Sequence, residues 1–277
     1  MINKVSVIIS TYNQPEFLKL TLQSFADQKG INYKNCEVII ADDGSKEDTS
    51  NLIAKYKVNY PCRLLHVWHH DNGFRKAAIL NKAVRASVGE YLLFVDGDCV
   101  VNADFIANHL RLAELGYFVA GNRVLLNEEF TKQVIQKRIN LQNISVVMWL
   151  FFAISMKSNK FLHWMRLGAN ANWRKSRSTN WRYPKGCNIA IWKSDYLSIN
   201  GYDESFEGWG HEDADLFIRL LHNHILIKDG RFYVPVFHLW HKLNSRENED
   251  ENLQRMIVRA NDKSYIQALL GIHQHNV

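Results

Sequence analysis

The chain has 277 residues, which is enough for one large domain or two small ones. Hydrophobic residues make up 47% of it and charged residues 22%, as in ordinary globular proteins. The net charge of +6 and the pI of about 9.0 suit an anionic ligand or a membrane surface, and they are too small to indicate a nucleic-acid partner.

The N-terminus, the longest apolar stretch and the cysteines bear on where the protein works. The first ten residues contain no charged segment followed by a long apolar one, so we expect no signal peptide. The longest apolar stretch, residues 146–154, is too short to span a bilayer as a helix. The four cysteines are far apart without metal-binding spacing. This favours reduced thiols in a cytoplasmic protein, soluble or peripheral at the inner face of the membrane.

Strands and helices alternate through the first hundred residues. Apolar and β-branched runs predict four strands, over residues 5–10, 36–41 and 63–67 and from residue 91 to the DGD sequence at residues 96–98. Amphipathic segments predict three helices between them, from Pro15, over residues 46–57 and over residues 75–86. This alternation predicts an α/β fold with a mostly parallel central sheet and helices on both faces.

The fourth strand ends at two carboxylates, Asp96 and Asp98, which a single glycine separates. Ligands of open α/β sheets bind beyond the carboxyl ends of the strands, where Thr11, Asn13 and Asp43 would also gather. Two acids are costly to desolvate unless a cation pairs with them, and a divalent metal with open positions commonly holds phosphate. A solvated Asp-Gly turn explains this stretch alone equally well.

The usual phosphate-binding motifs are missing from the sequence. It contains neither the GxGxxG of dinucleotide-binding folds nor the GxxxxGK[ST] of P-loops. A metal at the DGD sequence, together with Arg75 and Lys76 at the start of a helix, could hold phosphates instead.

The middle of the chain differs in composition from the first part. A helix is predicted from residue 103 to about residue 116, and one or two strands over residues 117–126. Residues 128–181 are largely helical in pattern, rich first in Phe, Trp and Met and then in Trp, Arg and Lys. We favour an extra helical layer packed on the core. The alternative is a surface that meets a lipid-linked acceptor or the bilayer interface.

The C-terminal part carries a second group of polar residues. After a strand at residues 186–192 and a short helix at residues 193–199, Trp209 stands between two glycines. His211 and three acids then crowd the start of a helix: Glu212, Asp213 and Asp215. The helix dipole favours acids in a first turn, but it does not require a glycine-flanked Trp.

Two histidines, His238 and His241, follow a predicted strand at residues 234–237. Their spacing allows both to face one ion, although a pair of this kind is more often structural. Residues 247–277 are predicted to form a charged amphipathic helix that packs back on the domain.

Together these motifs resemble the nucleotide-sugar glycosyltransferases of the GT-A fold, family 2-like. The ordered motifs that carry the resemblance are STYN at residues 10–13, DDGS at 42–45, DGD at 96–98 and GWGHED at 208–213. The segment from Gly186 is similar to one shared by β-1,4-galactosyltransferases and bacterial chondroitin-polymerase-like enzymes. The resemblance implies one continuous GT-A domain. Its parts would be a donor-binding half at residues 1–126, a helical aromatic and basic insertion at 127–184, and an acceptor and catalytic half at 185–277 with a C-terminal helix.

The resemblance also implies roles for individual residues. The residues that would bind the nucleotide part of the donor are Thr11, Asn13, Asp43, Phe74, Arg75, Lys76 and Asp96. The residues that would bind a divalent metal, Mn²⁺ or Mg²⁺, are Asp98, His238 and His241. The residues that would contact the sugars are Trp209, Glu212 and Gly186. Asp213 would be the catalytic base.

The sequence departs from the family pattern in three places. Glu207 replaces the first Trp of the usual WGWG, and the acidic run reads EDAD rather than EDDD. The segment at residues 128–181 has no counterpart in the motifs. The first two departures leave the donor and acceptor sugars open, and the third leaves the acceptor-binding region open.

The function that the resemblance implies is inverting, metal-dependent transfer of a hexose or N-acetylhexosamine. The donor would be a UDP-sugar and the acceptor a hydroxyl of a glycan, lipid-linked in one alternative, in bacterial surface polysaccharide synthesis such as lipopolysaccharide or capsule. Peripheral membrane contact is compatible with it, and no nucleic-acid partner is expected. One competing hypothesis is a nucleotidyltransferase that makes sugar nucleotides, although the loop TYNQPE lacks the glycine-rich, basic character usual there. The other is a non-catalytic module that binds sugars or nucleotides.

Overall fold

The computed structural model describes residues 2–160, 167–242 and 246–275. In these ranges the α-helices are α1 Pro15–Ala26, α2 Glu47–Lys57, α3 Lys76–Ala86, α4 Phe105–Leu112, α5 Glu128–Lys137, α6 Val146–Ile154, α7 Lys193–Ser198, α8 Glu212–His222 and α9 Glu249–Asn261. The strands are β1 Val5–Thr11, β2 Cys36–Asp42, β3 Arg63–Trp68, β4 Tyr91–Asp96, β5 Cys99–Val101, β6 Tyr117–Ala120, β7 Asn122–Leu125, β8 Asn188–Trp192, β9 Leu226–Asp229 and β10 Pro235–His238.

Seven of these strands form the central sheet, in the order β3-β2-β1-β4-β8-β6-β9. The first four are parallel, with Val5 opposite both Cys36 and Tyr91. Strand β8 runs antiparallel to β4 and β6, and β9 runs parallel to β6. The predicted α/β fold with a mostly parallel sheet is confirmed, while β9 is a strand that the sequence pattern did not indicate.

Helices cover both faces of this sheet because successive strand residues point to opposite sides. Val7 and Ile9 of β1 face one core, which α1, α2 and α4 complete. Ile8 faces the other core, which α3, α7 and α8 complete. The parallel strands all end at the same edge of the sheet, between these layers.

A second sheet of three strands, which the sequence analysis did not predict, lies beside the first in the order β5-β10-β7. Strand β10 is antiparallel to β5 and parallel to β7. The chain leaves the central sheet at Gly97, whose N–H donates to the Ser10 carbonyl at 2.7 Å. A Cβ at Gly97 would lie 2.8 Å from that oxygen, so the close approach requires glycine. The second sheet therefore brings the end of β10 beside the DGD turn.

Residues 128–181, which the sequence predicts to be largely helical, form α-helices only in their first half within the described ranges. Helices α5 and α6 pack on the second sheet through Phe130, Trp149 and Phe152, against Phe237 of β10. Beyond α6 the described residues are mostly irregular, and residues 161–166 of this prediction lie outside them. None of the helices in the described ranges combines the length and the apolar character that a membrane span requires.

The prediction of one helix over residues 247–277 is wrong beyond Asn261. Helix α9 ends there because the Asp262 carboxylate accepts the Ser264 N–H at 3.0 Å and turns the chain. The described tail then runs back over α7, where the Ala268 N–H donates to the Ile199 carbonyl at 3.0 Å. The four cysteines all fall in the described residues and carry free thiols.

Candidate active site at the carboxyl edge of the sheet

The ends of β1, β2 and β4 meet at one edge of the central sheet. The Asp43 N–H donates to the Thr11 carbonyl at 3.0 Å, and the Ser10 hydroxyl donates to Asp96 Oδ1 at 2.7 Å. Parallel strands in register bring their carboxyl ends together, so residues far apart in sequence become neighbours. Thr11, Asp43 and Asp96 thus line a common edge.

The Asp43 carboxylate is fixed on both of its oxygens. His69 Nε2 lies 2.6 Å from Oδ1, and the Arg75 backbone N–H donates to Oδ2 at 2.9 Å. The hydroxyl of Thr11 is buried and has no hydrogen-bond partner among the described residues. Buried polar groups are normally paired, so the unpartnered hydroxyl marks a point at this edge where a further hydrogen-bond partner is expected.

Asn13 shapes the loop at this edge. Its backbone is left-handed, with φ of 50°, a conformation that Asn tolerates better than most residues. Its N–H donates to the Ser45 hydroxyl at 2.8 Å, and its Oδ1 accepts the Lys46 N–H at 2.9 Å. The amide oxygen of Asn13 is therefore used to hold the turn after β2.

Asp98, His238 and His241 form a cluster between the two sheets. Their ligand atoms all lie within 4.8 Å of one another. Asp98 Oδ2 is 3.1 Å from His241 Nε2, and Asp98 Oδ1 is 3.7 Å from His238 Nε2. The Leu239 N–H donates to the Asp98 carbonyl at 2.9 Å, which holds the end of β10 against the turn. One carboxylate and two imidazoles are a donor set that divalent metals use in proteins.

The pKa values of Asp98 and His241 shift in opposite directions. Burial alone would raise the pKa of Asp98, but the two histidines outweigh it and hold that pKa below its usual value. The hydrogen bond with Asp98 raises the pKa of His241 to about 9. His241 Nδ1 lies 2.7 Å from the Lys242 carbonyl, an arrangement that leaves Nε2 directed toward Asp98.

Lys76, at the start of α3, lies among carboxylates from both halves of the chain. Its Nζ is 3.2 Å from Asp96 Oδ1, 3.8 Å from Glu212 Oε1 and 3.7 Å from Asp213 Oδ2. Burial alone would lower the pKa of Lys76, but the charges of the three acids raise it well above its usual value. A single ammonium therefore joins the DGD edge to the start of α8.

Glu212 and Asp213 open α8 with different surroundings. Burial and the Asp213 charge raise the pKa of Glu212 to about 7, although Lys76 opposes the shift. Asp213 is about a quarter exposed and accepts the Tyr202 hydroxyl on Oδ1 at 2.9 Å. Any Cβ on Gly186 would overlap the Asp213 carboxyl, so a glycine is needed there. Gly186 thus packs directly against a predicted catalytic group.

The loop that carries Trp209 closes over the Arg75 segment. Gly208, with φ of +76°, donates its N–H to the Phe74 carbonyl at 3.1 Å. Glu207 Oε1 lies 3.4 Å from Arg75 Nη1, and the Arg246 guanidinium stacks 4.7 Å above the Trp209 ring. The structure thus places Phe74, Arg75 and Trp209 in one neighbourhood.

Asp215 points away from this site, unlike the two acids before it. Its carboxylate is buried and pairs with Arg219 at 2.7 Å and with Arg259 of α9 at 2.9 Å. Arg259 also pairs with Asp203 at 3.0 Å. Of the three acids at the start of α8, Glu212 and Asp213 therefore lie at the site, whereas Asp215 joins α8 to α9.

The glycosyl transferase family 2 model matches residues 6–183, which is more than half of the chain. The chain belongs to this family. A second family model, described as the N-terminal domain of galactosyltransferase, matches residues 170–242. Both parts of the predicted resemblance are confirmed, and the chain is a glycosyltransferase.

Curated relatives of this glycosyltransferase include two polysaccharide synthases. It is 26% identical to the chondroitin synthase of Escherichia coli over 79% of the chain and 32% of that protein. It is 30% identical to the hyaluronan synthase of Pasteurella multocida over 78% of the chain and 22% of that protein. It is also 26% identical to a validoxylamine A glucosyltransferase of Streptomyces hygroscopicus, over 78% of the chain and 51% of that protein. The chain thus spans between about a fifth and a half of these relatives.

Solved structures similar to this glycosyltransferase confirm the GT-A fold. TarS from S. aureus matches with a TM-score of 0.59 at 17% identity, over 92% of the chain and 39% of TarS. A mannosyltransferase from Pyrobaculum calidifontis, in complex with GDP-Man and Mn²⁺, matches with a TM-score of 0.59 at 15% identity. The match covers 93% of the chain and 62% of the mannosyltransferase.

Two residues beside the site were not assigned a role from the sequence. His69 holds Asp43, and Tyr202 donates to Asp213. His69 has a sequence signal, because it lies in a polar loop directly after β3, opposite the Asp43 turn. Tyr202 has none, because its contact depends on the fold of residues between two helices.

Proposed function

We propose that this glycosyltransferase is an inverting, metal-dependent enzyme that transfers a hexose or N-acetylhexosamine from a UDP-sugar to a hydroxyl of a glycan acceptor. The observation that carries the proposal is the position of Lys76. Its ammonium lies within 4 Å of Asp96 from the family 2 part and of Glu212 and Asp213 from the galactosyltransferase-like part. A donor site and an acceptor site that meet at one lysine suit a transfer reaction.

The donor nucleotide would lie along the carboxyl edge of the sheet. The unpartnered Thr11 hydroxyl and the fixed Asp43 carboxylate would face the nucleoside, with Asn13 holding the loop. Asp96 would lie near the ribose, and Phe74, Arg75 and Lys76 near the base and diphosphate. Solved structures of similar fold in complex with UDP, UDP-GlcNAc or GDP-Man support a nucleotide-sugar donor.

The metal would be held by Asp98, His238 and His241. Their three ligand atoms fit one divalent ion, and three protein ligands leave coordination positions open for diphosphate oxygens. When bound, the ion would neutralise charge on the departing nucleoside diphosphate. Two imidazole ligands suit Mn²⁺ better than Mg²⁺, which prefers oxygen.

Asp213 would act as the catalytic base. Its carboxylate is partly exposed and is oriented by Tyr202, so it can take the proton of an acceptor hydroxyl. As the hydroxyl oxygen bonds to the anomeric carbon, the bond from that carbon to the diphosphate oxygen breaks. Attack on the face opposite the leaving group inverts the configuration, so an α-linked UDP-sugar would give a β-glycoside. Trp209, Glu212 and Gly186 would contact the sugars.

The glycan acceptor would belong to bacterial surface polysaccharide, such as lipopolysaccharide or capsule. The relatives named as chondroitin and hyaluronan synthases support a polysaccharide product. We propose a cytoplasmic reaction, in keeping with a nucleotide-sugar donor, and a lipid-linked acceptor would put it at the inner face of the membrane.

The donor is tested by measuring UDP release from UDP-galactose, UDP-glucose and UDP-N-acetylhexosamines with an acceptor panel. We expect release from one of them with Mn²⁺ and loss of that release with EDTA. Release that is unchanged by EDTA would contradict the metal requirement. Release from GDP-sugars alone would contradict the UDP-sugar donor.

The base is tested by Asp213→Asn, which keeps the size and the Tyr202 contact but cannot take a proton. Turnover should fall by about 10²–10⁴-fold, as for the loss of a general base. Calorimetric UDP affinity in the presence of Mn²⁺ should stay close to that of the unaltered enzyme. Near-normal turnover of this variant would exclude Asp213 as the base.

A further inference from the structure

Helix α6 presents an apolar face to solvent. All nine of its residues are apolar, yet only Trp149 and Phe152 are buried. Val147 is 75% exposed, Phe151 54% and Ile154 74%. Single exposed apolar side chains are common, but several on one helix mark a surface that binds something.

Ring contacts on the buried side of α6 fix the orientation of the helix, with its apolar face toward solvent. The Trp149 ring stacks on Phe237 with centroids 4.6 Å apart, and Phe152 packs on Phe130 at 4.4 Å. Ser145 caps the start of the helix by accepting the Met148 N–H. The exposed residues therefore belong to an anchored helix and cannot turn into the core without breaking these ring contacts.

The stretch of sequence that contains α6 carries charge of one sign. Residues 130–194 contain twelve of the chain's 34 Lys and Arg and none of its 28 Asp and Glu. The rest of the chain, with 22 basic and 28 acidic residues, is net negative. Two of the twelve, Lys157 and Lys160, follow the helix directly, and Lys160 is exposed. An apolar helix face in a stretch of sequence whose charged residues are all basic is complementary to a surface with an apolar layer beneath an anionic outer layer.

We propose that α6 docks on an anionic phospholipid bilayer, with Val147, Phe151 and Ile154 inserted at the interface. A second copy of the chain is a poorer occupant, because two basic segments would face each other. The stacking partner of Trp149, Phe237, directly precedes His238, so α6 packs on the strand that carries one of the candidate metal ligands. The proposal rests on exposure and charge and not on the proposed donor or acceptor.

The test is co-sedimentation of the full chain with vesicles of phosphatidylcholine alone and of phosphatidylcholine with about a third phosphatidylglycerol. We expect binding to the anionic vesicles that weakens as salt is raised, since basic residues near an anionic surface are screened by ions. A variant with Val147→Gln, Phe151→Gln and Ile154→Gln should bind at least about tenfold more weakly, from the loss of apolar burial.

The matched control replaces three apolar residues elsewhere that are 71–77% exposed: Val58→Gln, Leu115→Gln and Leu269→Gln. This variant should bind anionic vesicles as the unaltered chain does. Three outcomes would overturn the proposal: no binding to either vesicle, undiminished binding by the α6 variant, or equal loss in the control. Sedimentation velocity supplies a fourth such outcome. If the unaltered chain self-associates and only the α6 variant does not, the exposed face of α6 binds a second copy of the chain.

Discussion

Lys76 is the residue on which the charge balance of the site depends. It lies against Asp96, Glu212 and Asp213, and its side chain is only 14% exposed. Removing one partner from a buried ionic group leaves the others uncompensated, which costs about 3–5 kcal/mol when burial is complete. Because Asp96 and Asp213 are partly exposed, we expect Lys76→Met to lower the free energy of unfolding by an amount near the low end of that range. Urea unfolding without metal measures it.

Lys82 gives a control for this substitution on the same helix. Its side chain is exposed, and its Nζ donates only to the Trp68 carbonyl among the contacts described. Lys82→Met should change the free energy of unfolding by less than about 1 kcal/mol. Equal effects of the two substitutions would mean that Lys76 has no special part in balancing the acids.

Glu212 gives a prediction about pH. Its pKa is raised from 4.5 to about 7 in the folded chain, mainly by burial. The folded state therefore binds this proton more tightly than the unfolded state, so the stabilisation is complete below about pH 4.5 and is lost as the pH rises through about 7. Glu212→Gln cannot ionise, and its stability relative to the unaltered chain should increase between about pH 5 and pH 8. Urea unfolding in EDTA at both pH values tests this.

Glu251 provides the matched control for the pH prediction, since its side chain is 74% exposed. Glu251→Gln should leave the pH dependence of stability unchanged. If Glu212→Gln keeps the full pH dependence of the unaltered chain, another group is responsible for it.

At the scale of the element, the sequence predicts the strands best where both faces are buried. Strands β1, β2 and β4 are largely apolar runs, and the sequence pattern predicts each of them to within a residue or two of its observed end. Strand β5 has only three residues, and its pairing with β10 joins positions more than 130 residues apart. No local pattern specifies that pairing. For the same reason, no local pattern predicts that Asp98 lies close to the two histidines. Only the family resemblance implies it.

Helices α8 and α9 are joined by buried ion pairs, and Arg259 is the shared partner. Its guanidinium is 2.9 Å from Asp215 and 3.0 Å from Asp203, and both carboxylates are fully buried. Arg259→Met would leave Asp203 without its arginine and Asp215 with Arg219 alone. We expect a loss of about 3–5 kcal/mol in the free energy of unfolding, measured by urea titration. Lys263→Met, at an exposed position just beyond α9, should cost less than about 0.5 kcal/mol.

At the scale of the whole molecule, the candidate metal cluster lies where the two sheets meet. Asp98 lies two residues after β4 in the family 2 part, and the two histidines lie at and just beyond the end of β10 in the galactosyltransferase-like part. Strand β10 is held in place by its pairing with β5 and β7, by the Trp149–Phe237 ring stack and by the Leu239 N–H bond to the Asp98 carbonyl. The fold itself therefore keeps the three candidate ligands close together. An ion there would link residues about 140 positions apart and should stabilise the chain as a unit.

This linkage predicts that Mn²⁺ raises the melting temperature. An ion that binds only the folded chain adds about 2.7 kcal/mol at a hundred times its Kd, which corresponds to roughly 5 °C for a chain of this size. Differential scanning fluorimetry with increasing Mn²⁺ should show the rise, and EDTA should reverse it. Asp98→Asn and His241→Gln should remove it, whereas His273→Gln, at an exposed histidine far along the tail, should keep it. A rise of the same size in His241→Gln would place the ion elsewhere, and no rise in the unaltered chain at any Mn²⁺ concentration would exclude the cluster as a metal site.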